Sequence, residues 1–323
     1  MAVSIKDVAR QAGVAPSTVS RALGKGPVSE DVRRKVADAV IQTGYRPNLA
    51  ARRLRSRQSM TVGLVVADIR NPFFTELARA VETAAYESGM RVLLCNTDED
   101  PGREAMYLGL MAEERASGLI LAPTRALDPA RLAEFEIPVV LVDRGLPGAR
   151  RDTVVLDNRA AAETLVDHLV ATGRRRIAGL FGVTSATGDE RRAGFEAAMA
   201  RHGLAPRLRM AAPTPEAGHA ALADLLSERP EAVVLSNGLF TGAMLRLCRE
   251  RALAIPRDIA VCGFDDEAWA SFVEPGITVI RQPLETFGRE AMQMLLARLA
   301  RPDLPHRTVT LSGELVVRGS TAR

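Results

Sequence analysis

Two short helical patterns separated by a tight turn constrain the start of this chain more than any other feature. The segment IKDVARQAGVAPSTVSRAL begins at Ile5. Ile5, Val8, Ala9 and Ala12 recur at the spacing of one helical face and predict an apolar side on the first helix. Gly13 suits the turn that follows. Two small helices joined in this way can place the second helix in a DNA major groove.

The second helical pattern carries short polar side chains. Pro16 suits its first position, where the missing N–H would have no partner anyway. Val19 and Leu23 are predicted to face the first helix. The side chains predicted to point outward are Ser17, Thr18, Ser20 and Arg21. Hydroxyls and a guanidinium can contact phosphates and base edges. For this stretch alone, a helix hairpin without a nucleic-acid partner is the alternative.

A third helix is predicted from Ser29 to Gly44. Ser29 is a favourable N-cap, and Glu30 and Asp31 lie at the positive end of the helix dipole. Val32, Val36 and Val40 give this helix an apolar stripe.

The basic segment YRPNLAARRLRSR follows from Tyr45. Asn48 is a good N-cap for a helix of about two turns, which is too short to persist alone in water. Leu54 stands among arginines. It either packs on the neighbouring domain or is held out to wedge between base steps in a DNA minor groove.

The charge of the chain is divided unevenly. Residues 1–60 hold 12 Lys and Arg against 4 Asp and Glu, a net of +8, while the remainder holds 31 against 35, a net of −4. A basic amino-terminal segment on a mildly acidic body is typical of a nucleic-acid binder with a separate second module.

These residues carry a resemblance to the lactose-repressor (LacI/GalR) family of bacterial transcription regulators. The family pattern D-V-A-x-x-A-G-V-S-x-x-T-V-S-R is matched from Asp7 to Arg21, except that Ala15 replaces a serine. The pattern Y-x-P-N-x-x-A-x-x-L is matched from Tyr45 to Leu54. The resemblance implies operator double-stranded DNA as a partner. The DNA-binding residues it implies are Ser4, Pro16, Ser17, Thr18, Ser20, Arg21, Asn48, Ala51, Arg52, Leu54 and Arg55.

Short β-branched runs alternate with amphipathic helical patterns from Thr61 onward. Strands are predicted at 62–67, 92–95, 119–121, 139–142, 154–156, 177–181, 233–235 and 259–263, with a last strand-like run at 315–317. Helices are predicted at 73–88, 104–115, 159–171, 191–202, 239–251 and 284–299. This alternation predicts parallel sheets covered by helices. The strands are too many for one compact sheet, so two lobes are expected.

The predicted fold class is an all-α helix-turn-helix headpiece followed by an α/β effector domain of two parallel-sheet lobes, similar to periplasmic binding proteins as the resemblance implies. The expected domains are a headpiece at 1–47, a hinge helix and linker at 48–60, and an effector-binding and dimerisation domain at 61–323. The chain is expected to cross between the lobes near Asp157, Gln282 and Ser312, while residues 213–218 are predicted to be a variable loop.

Polar and aromatic side chains follow several predicted strands, where a cleft between lobes is expected. The candidate effector-binding residues are Phe73, Phe74, Asp143, Asp189, Arg191, Asn237 and Asp265. Arg191 and Asp265 match the family's R-x-x-G-F and G-[FY]-D-D motifs. Such groups can hydrogen-bond the hydroxyls of a sugar, while an aromatic ring covers its apolar face.

Several of these candidates have a second interpretation. Phe73 and Phe74 could belong to the core, and Asp143 or Asp157 could cap helices. At Gly238 the family usually has an aspartate, so a carboxylate is missing there.

Signals for other chemistry are weak. Cys95, Cys248 and Cys262 have no disulfide or metal spacing and are expected to be buried thiols in a cytoplasmic protein. The four histidines are scattered, so neither a catalytic residue, nor a metal, nor a cofactor is predicted. No apolar run approaches the ~20 residues of a membrane helix, so no membrane span is expected.

The sequence therefore predicts a ligand-responsive transcription regulator, a repressor that binds a sugar or sugar derivative between its lobes. It leaves open whether that effector weakens or strengthens DNA binding. Without C-terminal leucine heptads after residue 317, a homodimer is expected rather than a tetramer. A sugar transport receptor and an enzyme with an added DNA-binding domain are the rival classes.

Overall fold

The computed structural model describes residues 3–23, 26–45 and 59–322 of the 323-residue chain. It divides into an amino-terminal unit that ends at Ser59 and a larger unit that begins at Met60. The predicted hinge helix lies outside the described residues. So do five predicted DNA contacts: Asn48, Ala51, Arg52, Leu54 and Arg55.

Three helices form the described part of the amino-terminal unit: α1 (Ile5–Ala12), α2 (Pro16–Leu23) and α3 (Glu30–Thr43). The carboxylate of Asp7 accepts hydrogen bonds from the backbone N–H of Ser4 at 3.0 Å and from its hydroxyl at 2.7 Å. Val8, Val19 and Val36 are fully buried between the helices, because each lies on the apolar side that the helical spacing predicts.

Turn residues set the ends of these helices. Gly13 ends α1 with a φ of 65°, and Gly44 ends α3 with the same value. This left-handed conformation favours glycine. The hydroxyl of Ser29 accepts a hydrogen bond from the backbone of Val32 and caps α3 as predicted.

Two six-stranded sheets form the larger unit. Its strands are β1 (Thr61–Val66), β2 (Arg91–Asn96), β3 (Gly118–Leu121), β4 (Val139–Val142), β5 (Asp152–Leu156), β6 (Ile177–Gly182), β7 (Arg207–Ala211), β8 (Ala232–Leu235), β9 (Ala260–Phe264), β10 (Thr278–Arg281), β11 (Thr308–Leu311) and β12 (Glu314–Val316). Lobe one has the order β11-β5-β4-β3-β1-β2, and lobe two has the order β12-β10-β9-β8-β6-β7. All pairs are parallel except β10 with β12.

Helices cover both sheets. They are α4 (Pro72–Glu87), α5 (Pro101–Glu113), α6 (Pro129–Ala133), α7 (Asn158–Ala171), α8 (Ala186–Arg201), α9 (Pro215–Ser227), α10 (Gly238–Glu250), α11 (Ala268–Phe272) and α12 (Leu284–Ala300), with a short 3-10 turn at Gly319–Thr321. The predicted fold class is confirmed.

The chain crosses between the lobes three times. It leaves lobe one after β5, returns after β10 and leaves again between β11 and β12. These crossings lie at the three predicted positions. At the first of them, the carboxylate of Asp157 accepts a hydrogen bond from the backbone of Ala160 at 2.9 Å and caps α7.

The prediction of a loop at 213–218 was wrong. The hydroxyl of Thr214 accepts a hydrogen bond from the backbone of Ala217, and Pro215 takes the first position of α9. The neighbouring strand β7 was also missed, because its arginines and apolar residues are all half-buried at the edge of the sheet.

The cysteines are buried and free of disulfides, as expected. Burial raises the pKa of the Cys248 thiol to about 11 and also raises that of Cys262. In the part of the chain that the structure describes, no helix has both the length and the apolar character that a membrane span requires.

Candidate ligand cleft and nucleic-acid surface

A cleft separates the two lobes at the carboxyl ends of their strands. Side chains that follow β1, β2 and β4 face it from lobe one, and side chains that follow β6 to β10 face it from lobe two. The empty space between them is about 610 Å³, its opening to solvent included. Six predicted ligand residues line it: Phe73, Phe74, Asp143, Arg191, Asn237 and Asp265.

Arg191, on α8, is buried in the wall that lobe two contributes. Its Nε donates to Oδ1 of Asn158 at 2.8 Å, and its Nη1 donates to the carbonyl of Ser236. The guanidinium carbon lies 3.9 Å from the centroid of the Phe264 ring, a cation–π contact. Burial lowers the pKa of Arg191, and the nearby carboxylate of Asp265 opposes that change. These contacts hold the guanidinium in a fixed orientation.

Asp265 directly follows β9 and is held from two sides. Its φ of 76° is in the left-handed region. Its Oδ2 accepts from the backbone N–H of Gly238 at 3.2 Å, and its Oδ1 accepts from Nε2 of Gln282 at 2.7 Å. Asn237 caps α10 beside it, because its Oδ1 accepts from the backbone of Phe240 at 2.9 Å.

Asp143 directly follows β4 and begins no helix, so its alternative interpretation as a helix cap is wrong. Its carboxylate pairs with Nε of Arg144 at 3.0 Å, and Arg144 in turn pairs with both carboxylate oxygens of Glu99 at 2.6 and 2.9 Å. Burial raises the pKa of the Asp143 carboxyl, while Arg144 and Arg191 oppose that rise. The result is a buried charged cluster on the lobe-one wall.

Phe73 and Phe74 combine both roles that the sequence left open. They line the cleft and belong to the main core, with exposed fractions of 6% and 3%. Their rings meet edge to face with centroids 4.9 Å apart. The pair supplies an apolar surface beside the charged cluster.

Asp189 does not line the cleft. Its carboxylate pairs with Arg125 of lobe one at 2.8 Å, and Arg125 also donates to the carbonyl of Val183. A second contact between the lobes joins the hydroxyl of Thr184 to Oε1 of Glu99 at 3.4 Å. Asp189 is therefore placed to hold the lobes together rather than to touch a ligand directly.

The carboxylate that the sequence lacks at Gly238 is replaced from another segment. A Cβ built on Gly238 would lie 2.0 Å from Oε1 of Glu267. This oxygen is buried and has no hydrogen-bond partner in the described part of the chain, while Oε2 accepts from the indole N–H of Trp269. Burial raises the pKa of the Glu267 carboxyl. Only glycine at 238 leaves room for this side chain.

Sequence reasoning missed several residues of the cleft. Glu99, Thr184 and Gln282 line it but were not candidates. Each follows a strand, which is the one signal that could have found them. Glu99 is held by Arg144, Thr184 by Glu99 and Gln282 by Asp265, contacts between distant segments that no local pattern reveals.

The described part of the predicted DNA surface lies on the first two helices. Pro16, Ser17 and Arg21 are exposed on α2, and Ser4 is exposed ahead of α1. The Arg21 guanidinium donates to the carbonyl of Ser17 and to the hydroxyl of Thr18, both at 3.4 Å. These long contacts leave its planar edge available to a partner.

The cleft offers donors, acceptors and an apolar surface in one place. Guanidinium and amide N–H groups can donate to ligand oxygens, and carboxylates can accept from ligand hydroxyls. This combination suits a polyhydroxyl molecule. Among the described residues, no group of three or more His, Cys, Asp or Glu could hold a metal ion.

Comparison with known families gives two matches on this chain. Residues 4–48 match the model of bacterial regulatory proteins of the lacI family. Residues 166–321 match the periplasmic binding protein-like domain. The HTH-type transcriptional regulator PtxS of Pseudomonas plecoglossicida is 36% identical over 327 residues, which cover 99% of this chain and 96% of the relative.

Two solved structures extend the similarity to the whole fold. The lac repressor dimer bound to operator and the anti-inducer ONPF matches with a TM-score of 0.90 and 25% identity, covering 100% of both chains. The complex of the transcriptional regulator CelR with cellobiose matches with a TM-score of 0.75 and 29% identity, covering 98% of this chain and 99% of that one.

Proposed function

The chain belongs to the LacI family of bacterial regulatory proteins, and from this premise we propose that it represses sugar-related genes in response to a small molecule bound between its lobes. The observation that carries the proposal is the cleft, in which Arg191 and Asp265 of lobe two face Asp143 of lobe one. A ligand that bonds to both walls favours one separation of the lobes over others, which is the requirement for an allosteric effector.

The coupling route begins at contacts that already join the lobes. The Arg125–Asp189 ion pair and the Glu99–Thr184 hydrogen bond bridge the mouth of the cleft. A ligand that changes the lobe separation must strain or reinforce them. Lobe one begins at Thr61, directly after the boundary with the DNA-binding unit. A change in the orientation of lobe one relative to lobe two is therefore the signal that an effector would pass along the chain to the DNA-binding unit.

The charges of the cleft favour an uncharged sugar or sugar derivative over a sugar acid. Four carboxylates line it, from Asp68, Glu99, Asp143 and Asp265, against the guanidiniums of Arg144 and Arg191. An anionic ligand would add to this excess of negative charge, while hydroxyls can donate to the carboxylates. The cellobiose complex of a related regulator supports this class of effector.

Thermal-shift screening of the full chain tests this choice. The panel contains neutral mono- and disaccharides, their aldonic acids and purines. A ligand that binds only the folded state raises the midpoint of unfolding, and at a fixed ligand concentration the rise grows with the logarithm of the affinity. We expect neutral sugars to give the largest shifts. Stabilisation by sugar acids or purines alone would contradict the proposed effector class.

Arg21→Ala tests base reading by α2. Arg21 is exposed and is the side chain there able to grip a guanine through two hydrogen bonds. Its loss is expected to cost roughly 1–3 kcal/mol in operator binding and to relax preference at one symmetric pair of positions. Binding to a set of operator variants measures this. Equal weakening on every sequence would identify a phosphate contact instead.

Leu54→Ala tests the proposed wedge in the minor groove. A wedge that unstacks a base step acts on the bound complex, so free-protein stability should change by less than about 0.5 kcal/mol. Specific binding and DNA bending should fall, with nonspecific binding nearly unchanged. A variant that loses several kcal/mol of stability yet bends DNA normally would place Leu54 in a protein core.

Assembly into a homodimer is expected through the larger unit. Strand β2 lies at the open edge of lobe one, and apolar side chains are exposed on it and on the helices beside it: Leu94, Met106 and Tyr86. Such a patch favours association. Sedimentation at micromolar concentration should give a dimer, and Leu94→Glu should shift it towards monomer. A stable tetramer would contradict this expectation.

A further inference from the structure

A second concavity lies at the amino ends of the lobe-one strands, whereas the cleft lies at their carboxyl ends. Arg150 and Arg151 immediately precede β5, while His306 and Arg307 immediately precede β11. These two strands are parallel neighbours, with Thr153 beside Thr308. The register therefore brings both basic pairs together at the amino ends of the strands.

A buried ion pair forms the floor of this concavity. Arg298, 8% exposed, donates through Nε and Nη2 to Oδ2 of Asp152 at 3.2 and 2.9 Å. The other oxygen of Asp152 accepts from the backbone N–H of Arg307 at 2.9 Å. Both carboxylate oxygens are thus hydrogen-bonded to groups of the floor, and the charge of Asp152 is paired with that of Arg298.

The backbone of residues 302–305 is fixed by the same guanidinium. Arg298 donates to the carbonyl of Pro302 at 2.8 Å and also to that of Leu304. Both carbonyls point inward to Arg298. The loop at residues 302–305, fixed by these two hydrogen bonds, therefore forms part of the concavity.

The side chains around the opening offer hydrogen-bond donors. Nδ1 of His306 lies 3.0 Å from Nη2 of Arg298, and a guanidinium can only donate, so Nδ1 accepts and Nε2 carries the proton. Nε of Arg151 is buried and has no hydrogen-bond partner among the residues that the structure describes, while the terminal nitrogens of this guanidinium donate to the carbonyls of Arg150 and Leu132. Burial lowers the pKa of His306, and the nearby charge of Arg298 lowers it further.

The charges of the lining are unbalanced. It contains four arginines and a histidine, and Asp303 on the exposed rim is the one carboxylate among the lining residues that the structure describes. Arginines grouped around a donor-rich concavity are the arrangement that recognises phosphate oxygens.

We propose that this concavity is a second ligand site, which binds a phosphate dianion, free or as a small phosphomonoester, through Arg150, Arg151, Arg307 and His306. It lies within lobe one and does not share residues with the cleft. A phosphate there would bridge the segments that lead into β5 and β11, and the chain crosses to lobe two after each of these strands.

Calorimetric titration of the full chain with inorganic phosphate, and separately with glycerol 2-phosphate, tests the proposal at constant ionic strength. The test variant is Arg150→Gln with Arg307→Gln, both exposed side chains. The matched control is Arg249→Gln with Arg251→Gln, exposed on lobe two outside the lining. We expect one site per chain, with binding at least roughly tenfold weaker in the test variant and unchanged in the control.

Three results would overturn the proposal. One is the absence of phosphate binding to the unmodified chain, and another is equal binding by both variants. The third is no phosphate binding, together with weaker DNA binding and a smaller salt dependence in the test variant alone, which would assign the concavity to the DNA backbone. Binding of the ester but not of the free ion would identify a phosphomonoester as the ligand.

Discussion

Asp265→Ala is expected to abolish the response of operator binding to effector. The substitution removes a carboxylate of the cleft that accepts from the Gly238 backbone and from Gln282, and so it disorders the wall where lobe two meets the ligand. A polar group that loses its partner in a binding site costs roughly 2–5 kcal/mol of affinity. Titration of the operator complex with effector measures the loss.

The sign of the change in DNA binding depends on the type of effector. If the ligand is an inducer, the variant should bind operator within severalfold of the unmodified chain and remain bound when ligand is added. If it is a corepressor, the variant should fail to bind operator with ligand present. Asp265→Asn keeps the shape and removes the charge, so a partial response is expected. A full response of Asp265→Ala to the ligand would remove Asp265 from the site.

Asp152→Ala is expected to destabilise the larger unit by about 3–5 kcal/mol, because it leaves the buried Arg298 guanidinium without its carboxylate. It also removes the acceptor of the Arg307 backbone N–H. Denaturant unfolding followed by circular dichroism measures the change in the free energy of unfolding.

A paired variant separates charge from packing. Asp152→Leu with Arg298→Met removes both charges and fills similar space, so it should recover most of the lost stability. If the Asp152–Arg298 pair positions the arginines around the concavity, this double variant should regain stability without regaining phosphate binding. A loss below about 1 kcal/mol in Asp152→Ala would show that the ion pair contributes little.

The parts of the fold with strong periodicity were predictable from sequence. Lobe-one strands such as β1 and β4 are continuous apolar runs because both faces of a parallel sheet are covered. The amino-terminal helices were equally clear, since Gly13 marks the end of the first and Ser29 the start of the third. By contrast, β7 alternates arginine with apolar residues at a sheet edge, and its half-exposed surface carries too little apolar signal.

The cleft was predictable where position along a strand decides it. Asp143 and Asp265 directly follow strands, so the parallel topology brings each of them to the carboxyl end of its own sheet, where the cleft lies. Position alone did not separate Asp189, which bridges the lobes, from Arg191, which lines the cleft. The carboxylate of Glu267 beside Gly238 could not be predicted, because it depends on a contact between distant segments.

Operator binding measured during a sugar titration tests the central claim most directly. Fluorescence anisotropy would follow a labelled operator, selected from random DNA by the full chain, while a sugar that stabilises the protein is added. Allosteric coupling of about 1–3 kcal/mol predicts a change of roughly 5- to 150-fold in operator affinity at saturation, with no change in Asp265→Ala if the ligand is an inducer. An operator affinity that stays constant while the sugar saturates the cleft would contradict the account.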